Sequence, residues 1–190
     1  MARDPFIVGA DLAIDVPGEL FAPAETATFS GAYDMGAFEF GPDSYEALGP
    51  LPFSVTLTNV GGALLVQGSI SGSVRTSCSR CLEAAEYDVE SDVEGYFIIE
   101  GEGEAPDDMD DDEFDVLPES NRIDLEPLLR AAVLADLPLV PVCDDDCKGL
   151  CPICGANLNE GPCGCKPREA EKEPSAPTNP FEALKNYKFE

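Results

Sequence analysis

Hydrophobic and polar positions alternate most cleanly where Phe53, Val55 and Leu57 are separated by Ser54, Thr56 and Thr58. A period of two marks a half-buried strand. Asn59-Val60-Gly61-Gly62 reads as a turn. Residues 63–76 read as a long strand, with Gly68 and Gly72 where it can bend. Residues 84–99, carrying Tyr87, Val89, Val93, Tyr96 and Ile98, predict a further strand pair or one long bent strand. Cys78-Ser79-Arg80-Cys81 therefore falls at a strand-to-strand turn. Upstream, Phe6-Ile7-Val8 and the Leu12, Ile14, Val16 series suggest short strands parted by Gly9, and residues 26–33 have strand composition. Residues 34–50 are rich in glycine and proline and are expected to be loop.

The period changes after residue 120. Leu125, Leu128, Leu129, Ala132, Val133 and Leu137 recur at helical spacing, with Pro127 tolerated in the first turn and Asn121 or Asp124 able to cap. Phe114, Val116 and Leu117 suggest a short closing strand before it. Residues 138–142 should run extended into Cys143. Residues 169–179 read as a Pro- and Glu-rich linker, and 179–188 as a short helix with Phe181, Leu184 and Tyr187 on one face. The expected fold is α+β: a mainly antiparallel, bent sheet with one central helix, a cysteine-rich zinc-binding C-terminal segment and a short terminal helix. Three parts are expected. Residues 1–142 form a β-rich core with an acidic loop at 100–115 and a helix at 124–136. Residues 143–165 form a metal segment packed on the core, and 166–190 a linker and terminal helix.

Charge narrows the partners. Asp and Glu total 38 against 11 Lys and Arg, a net charge of −27. Ten of the acids lie between Glu100 and Asp115, with no basic residue among them, which suits a solvated loop. Capture of a phosphate backbone depends on Lys and Arg displacing counterions. Residues 1–165 hold six such residues against 33 acids, so direct nucleic-acid binding is not expected. A basic protein partner is, since an acidic surface steers it in; solubility alone would account for the same charge.

The cysteines carry the chemistry. Six of the eight fall between Cys143 and Cys165, and Cys78 and Cys81 form a C-x2-C far upstream. Cys151-Pro152-Ile153-Cys154-Gly155 has the form of a zinc knuckle: two sulfurs on one tight turn, with Gly155 free to take a positive φ. Cys143 with Cys147 and Cys163 with Cys165 are further close pairs. Four pairs make two four-sulfur sites, so one or two structural zinc ions are expected. The N-terminus lacks an apolar leader and no run reaches the length of a membrane span. A cytoplasmic protein without membrane attachment is therefore expected, where thiols stay reduced and disulfides do not form. A redox pair at Cys78 and Cys81 is the competing reading, resting on Arg80 beside the thiols.

Catalysis finds no foothold. There is no histidine, which removes the commonest general base and the Ser-His and Cys-His arrangements. Gly101 to Pro106 is acidic and lacks the third glycine of a dinucleotide loop. The chain is expected not to be an enzyme.

Several unrelated motifs now stand in order. They are Cys78-Ser79-Arg80-Cys81-Leu82, Ile123-Asp124-Leu125 with the helix, and Leu137-Pro138-Leu139-Val140-Pro141-Val142. Cys147-Lys148-Gly149-Leu150-Cys151-Pro152-Ile153-Cys154-Gly155-Ala156-Asn157-Leu158-Asn159 follows, and Asn179-Pro180-Phe181 with Leu184 closes the series. From about Val55 to the C-terminus this resembles the YceD family, the large ribosomal RNA subunit accumulation proteins. The resemblance implies a non-enzymatic role in large-subunit ribosome biogenesis and rRNA accumulation. It also implies a partner that is a basic ribosomal protein or an assembly intermediate, with contact to rRNA indirect. Some members carry histidine where this chain has Cys143 and Cys147. That implies one metal site of Cys78, Cys81, Cys143 and Cys147, and a second of Cys151, Cys154, Cys163 and Cys165. The alternative partition joins Cys147, Cys151, Cys154 and Cys163 and leaves Cys78 and Cys81 a reduced pair. Other functional readings are an RNA-binding module using the zinc segment, near Lys148, Lys166 and Arg168, and a thiol redox protein using Cys78 and Cys81.

Overall fold

A computed structural model describes residues 6–101, 109–110 and 114–165. Most of the acidic loop expected at 100–115, and all of the linker and terminal helix expected beyond 165, lie outside the described residues.

The long alternating runs become the centre of a mixed sheet. Strand β1 (Phe6–Ile7), β2 (Ala13–Asp15) and a 3-10 turn at Gly18–Phe21 precede β3 (Thr26–Tyr33). Then come β4 (Ala37–Phe40), β5 (Asp43–Ala47), β6 (Leu51–Asn59), β7 (Ala63–Ser77) and β8 (Ala84–Ile98). Short strands β9 (Asp115–Val116) and β10 (Arg122–Asp124) lead into helix α1 (Glu126–Asp136). Residues 84–98 form one strand rather than a pair. Strands β7 and β8 stay in antiparallel register from Ala63 opposite Ile98 to Ser77 opposite Ala84. The other edge of β7 is shared: β6 takes Leu64 to Ile70, and β5 takes Val74 and Arg75. Gly72 lies at the changeover with φ +154°, where a Cβ would stand 2.3 Å from Leu51 Cδ2. Gly68 is equally required, since a Cβ there would meet Ser54 O at 2.1 Å.

Two details of the sheet differ from the sequence reading. The sheet is mixed, because β1 lies parallel to β3 and β9 parallel to β8. The segment 34–50 is not loop: it contains the β4–β5 hairpin. Its strands are short and punctuated by Gly36, Gly41, Pro42 and Gly49, which hides the alternation, yet Phe38 and Tyr45 are buried and their rings stack.

Helix α1 begins two residues later than the expected 124–136. Asp124 Oδ1 accepts the Glu126 N–H at 2.9 Å, while Asn121 sits in a left-handed turn with φ +52° and does not cap. The helix packs mainly on β8. Leu125, Leu129 and Val133 are fully buried, the i, i+4, i+8 face that its spacing predicts. They close the core against Val66, Ile70, Val89 and Val93. Gly95 lets the helix approach, because a Cβ there would lie 2.7 Å from Leu128 Cδ1. No helix among the described residues is long and apolar enough to cross a membrane.

Candidate metal centres

The turn joining β7 to β8 is a closed knuckle. Cys78 N–H donates to Glu83 O at 2.7 Å and Leu82 N–H to Cys78 O at 2.9 Å. The second C-x2-C repeats that wiring: Cys151 N–H donates to Ala156 O at 2.8 Å and Gly155 N–H to Cys151 O at 2.9 Å. The fifth residue of each knuckle is left-handed, Gly155 at φ +73° and Leu82 at φ +64°. Glycine takes that conformation freely; leucine takes it at a cost of roughly 1–2 kcal/mol.

Each knuckle is joined by a second pair of cysteines. Cys78 Sγ lies 3.8 Å from Cys147 Sγ, and Cys81 Sγ lies 3.6 Å from Cys143 Sγ. All four sulfurs of this first group lie within 4.8 Å of one another. Cys151, Cys154, Cys163 and Cys165 form a second group within the same limit. The structure thus brings all eight sequence-predicted residues together, in two sets of four. It does not group Cys147 with Cys151, Cys154 and Cys163. No sulfur pair is at bonding distance, since a disulfide needs about 2.05 Å, and all eight cysteines are free thiols.

The donor set fits a metal ion. With a metal–sulfur distance of about 2.3 Å, the edge of a thiolate tetrahedron is about 3.8 Å, close to the distances found in the first group. Protonation points the same way. Burial pushes Cys78 up, but hydrogen bonds from the backbone of Cys81, Cys143 and Arg80 outweigh it and bring the thiol down to about 6. Hydrogen bonds from the backbone of Cys154 and Ile153 bring Cys151 to about 6. Cys143 is pushed up to about 12, chiefly by Cys81 and Cys147, and Cys165 up to about 12 by Cys154 and Cys163. Each group thus sets a thiol that ionises readily, Cys78 or Cys151, beside one that holds its proton, Cys143 or Cys165. A bound cation would resolve that conflict by displacing the protons.

The two groups differ in their surroundings. Cys78, Cys81 and Cys147 are buried, packing with Ala85, Tyr87, Val142 and Leu150 into a small satellite core. In the second group only Cys151 is buried. The first group also holds distant chain together through its neighbours. Tyr87 Oη donates to Val142 O at 2.6 Å and accepts the Val142 N–H at 2.5 Å, fixing the residue before Cys143. Ser79 N–H donates to Pro141 O at 2.8 Å. Arg80 Nη1 donates to Asp145 O at 2.9 Å and Cys147 O at 3.1 Å. Asn159 Nδ2 donates to Cys147 Sγ at 3.3 Å, and this is the largest influence lowering that thiol. Tyr87 and Asn159 are absent from the sequence-level site; Tyr87 looks like an ordinary strand residue, and Asn159 is visible only as part of a motif.

Comparison with known proteins follows the same stretch of chain. A family model described as "Large ribosomal RNA subunit accumulation protein YceD" matches residues 66–188. The chain is 28% identical over 182 residues to the maize (Zea mays) protein named large ribosomal RNA subunit accumulation protein YCED homolog 1, chloroplastic, covering 81% of this chain and 61% of that one. Its counterpart of the same name in Arabidopsis thaliana is 29% identical over 148 residues, 65% of this chain and 46% of that one. An uncharacterized protein of Mycobacterium tuberculosis is 31% identical over 112 residues, 59% of this chain and 53% of that one. The chain therefore spans about half the length of the curated relatives it matches. No solved structure matches it.

Proposed function

Because the chain belongs to the YceD family, through a match that covers both cysteine groups, we propose that it is a non-catalytic factor for accumulation of large-subunit ribosomal RNA. In this reading it acts in the cytoplasm as a zinc-stapled binding protein. Its partner is a basic ribosomal protein or a large-subunit assembly intermediate carrying one, and its contact with rRNA is indirect.

The observation that carries the partner class is a row of carboxylates on β8. Glu86, Asp88, Glu90, Asp92 and Glu94 are all exposed at alternate positions, so they share one face of the sheet over roughly 27 Å. Opposite them in register on β7 stand Arg75, Ser73, Ser71, Ser69 and Gln67. Arg75 pairs with Glu86 at 2.8 Å, an exposed pair that offsets little of the field. Ser73 Oγ donates to Asp88 at 2.8 Å. Such a surface attracts lysine and arginine side chains and repels phosphate.

Zinc is the metal that the donor set favours, since four thiolates in a tetrahedron suit it and leave no open position for substrate. Cys78, Cys81, Cys143 and Cys147 would hold one ion and Cys151, Cys154, Cys163 and Cys165 the other. Both would be structural. The absence of histidine agrees with a binding role.

The test replaces the five β8 carboxylates with their amides and measures two things. In cells lacking the chain, wild type should restore large-subunit rRNA and the amide variant should not. In solution, wild type should bind purified basic large-subunit proteins with an affinity that falls steeply with salt, and the variant should bind weakly. Tight binding of naked rRNA with no binding to any ribosomal protein would sink the mechanism and favour the RNA-binding reading.

A further inference from the structure

Asn159 belongs to the loop of the second cysteine group but touches the first. It lies between Cys154 and Cys163, whose sulfurs would fix both ends of that loop. Its side-chain Nδ2 donates to Cys147 Sγ at 3.3 Å, and its Oδ1 accepts the Lys148 N–H at 2.8 Å. Its own N–H donates to Asn157 Oδ1 at 3.0 Å. The loop is laid against the first group's chain by Leu158 N–H to Gly149 O at 2.9 Å and by an antiparallel bridge between Leu150 and Asn157. In turn, Leu150 N–H donates to Arg80 O at 3.0 Å, which lies inside the first knuckle. Hydrogen bonds thus tie the loop between Cys154 and Cys163 to the chain that carries the first group.

Donors to a ligating sulfur orient it and lower the cost of its negative charge. We propose that Asn159 is a positioning residue that couples the two metal sites. Metal in the second group pins the loop, holds the Asn159 donor on Cys147 and so tightens binding at the first group. The coupling is reciprocal: metal at the first group strengthens the second by the same factor. The inference rests on the zinc reading above and adds to it an order between the sites.

Cadmium titration of the full chain tests this, with cadmium NMR giving each four-sulfur site its own signal and chelator competition giving its affinity. Three variants are compared with wild type. Asn159→Asp keeps an acceptor for the Lys148 N–H but cannot donate to sulfur as a carboxylate. Cys154→Ser with Cys163→Ser removes the second site. The third variant combines all three substitutions. Asn159→Asp and the double serine variant should each weaken the first site by about ten- to a hundredfold. The combined variant should be little weaker than either. Wild-type affinity at the first site in Asn159→Asp would overturn the inference, because the variant both loses the donor to Cys147 Sγ and sets a carboxylate beside it. So would an equal loss from the serine substitutions with and without Asn159→Asp. Failure of wild type to bind two metals would instead remove the zinc reading, and the inference with it.

Discussion

The two four-sulfur groups share one knuckle and do different work. Their turns have the same pair of backbone hydrogen bonds and the same left-handed fifth residue. The first group draws its other two sulfurs from chain 62 and 69 residues away. The second draws them from its own neighbourhood, Cys163 and Cys165. Closing the longer loop costs more chain entropy, by about 2 kcal/mol on the logarithmic law. The satellite core and the Tyr87, Ser79 and Arg80 contacts offset that cost, and among the described residues the second group has no comparable set of buried apolar neighbours. The lesson is that one local motif becomes a staple between distant segments or a local clasp, according to where its partner thiols come from.

The largest effect expected is on removing the staple. Cys81→Ser should abolish metal at the first site and lower unfolding free energy by about 4 kcal/mol, the scale of a long cross-link; Cys163→Ser should cost less, about 1–3 kcal/mol, the share carried by its weakening of the first site. Urea unfolding with metal analysis on both variants checks this. Equal losses would erase the distinction between staple and clasp. Next comes Tyr87→Phe, which leaves Val142 N–H and C=O without their phenolic partner. It should cost about 1–3 kcal/mol and raise metal loss to chelator most at the first site. The smallest effect separates the knuckles themselves. Leu82→Gly relieves a strained φ and Gly155→Leu introduces one, so thermal unfolding of the metal-loaded chain should move in opposite directions, by about 1 kcal/mol each. Movement in the same direction would mean that the shared wiring does not govern the two turns.

Accessibility gives a further way to sharpen the contrast. In metal-free protein, alkylation followed by mass spectrometry should modify Cys154, which is exposed, well before Cys78, which is fully buried. The reverse order would show that the first group opens once its metal is gone.

Much of this was legible beforehand. The alternation at 53–58, the Asn59 turn and the helical spacing of Leu125, Leu129 and Val133 each report a periodicity that one buried face imposes on neighbouring residues. The C-x2-C spacings are local too, which is why both knuckles were visible and Gly155 could be read as free to take the positive φ it adopts. The β4–β5 hairpin was not, because its strands are too short for alternation to stand out among glycines and prolines. Nor was Leu82 readable as left-handed, since leucine avoids that region unless its surroundings impose it.

Local spacing therefore determined that thiols would converge in pairs, and that a half-buried sheet and one helix would form around Val66, Val93 and Leu129. Spacing left open which pairs would meet; the tertiary structure decided it, in the partition that the family resemblance implies. Cys143 and Cys147 reach Cys78 and Cys81 because α1 packs on β8 and delivers the following segment to the end of the β7–β8 hairpin. Only that juxtaposition puts Tyr87 on Val142 and Asn159 on Cys147. Contacts between residues 55 and 12 positions apart depend on how whole elements dock, and no period along the chain records that.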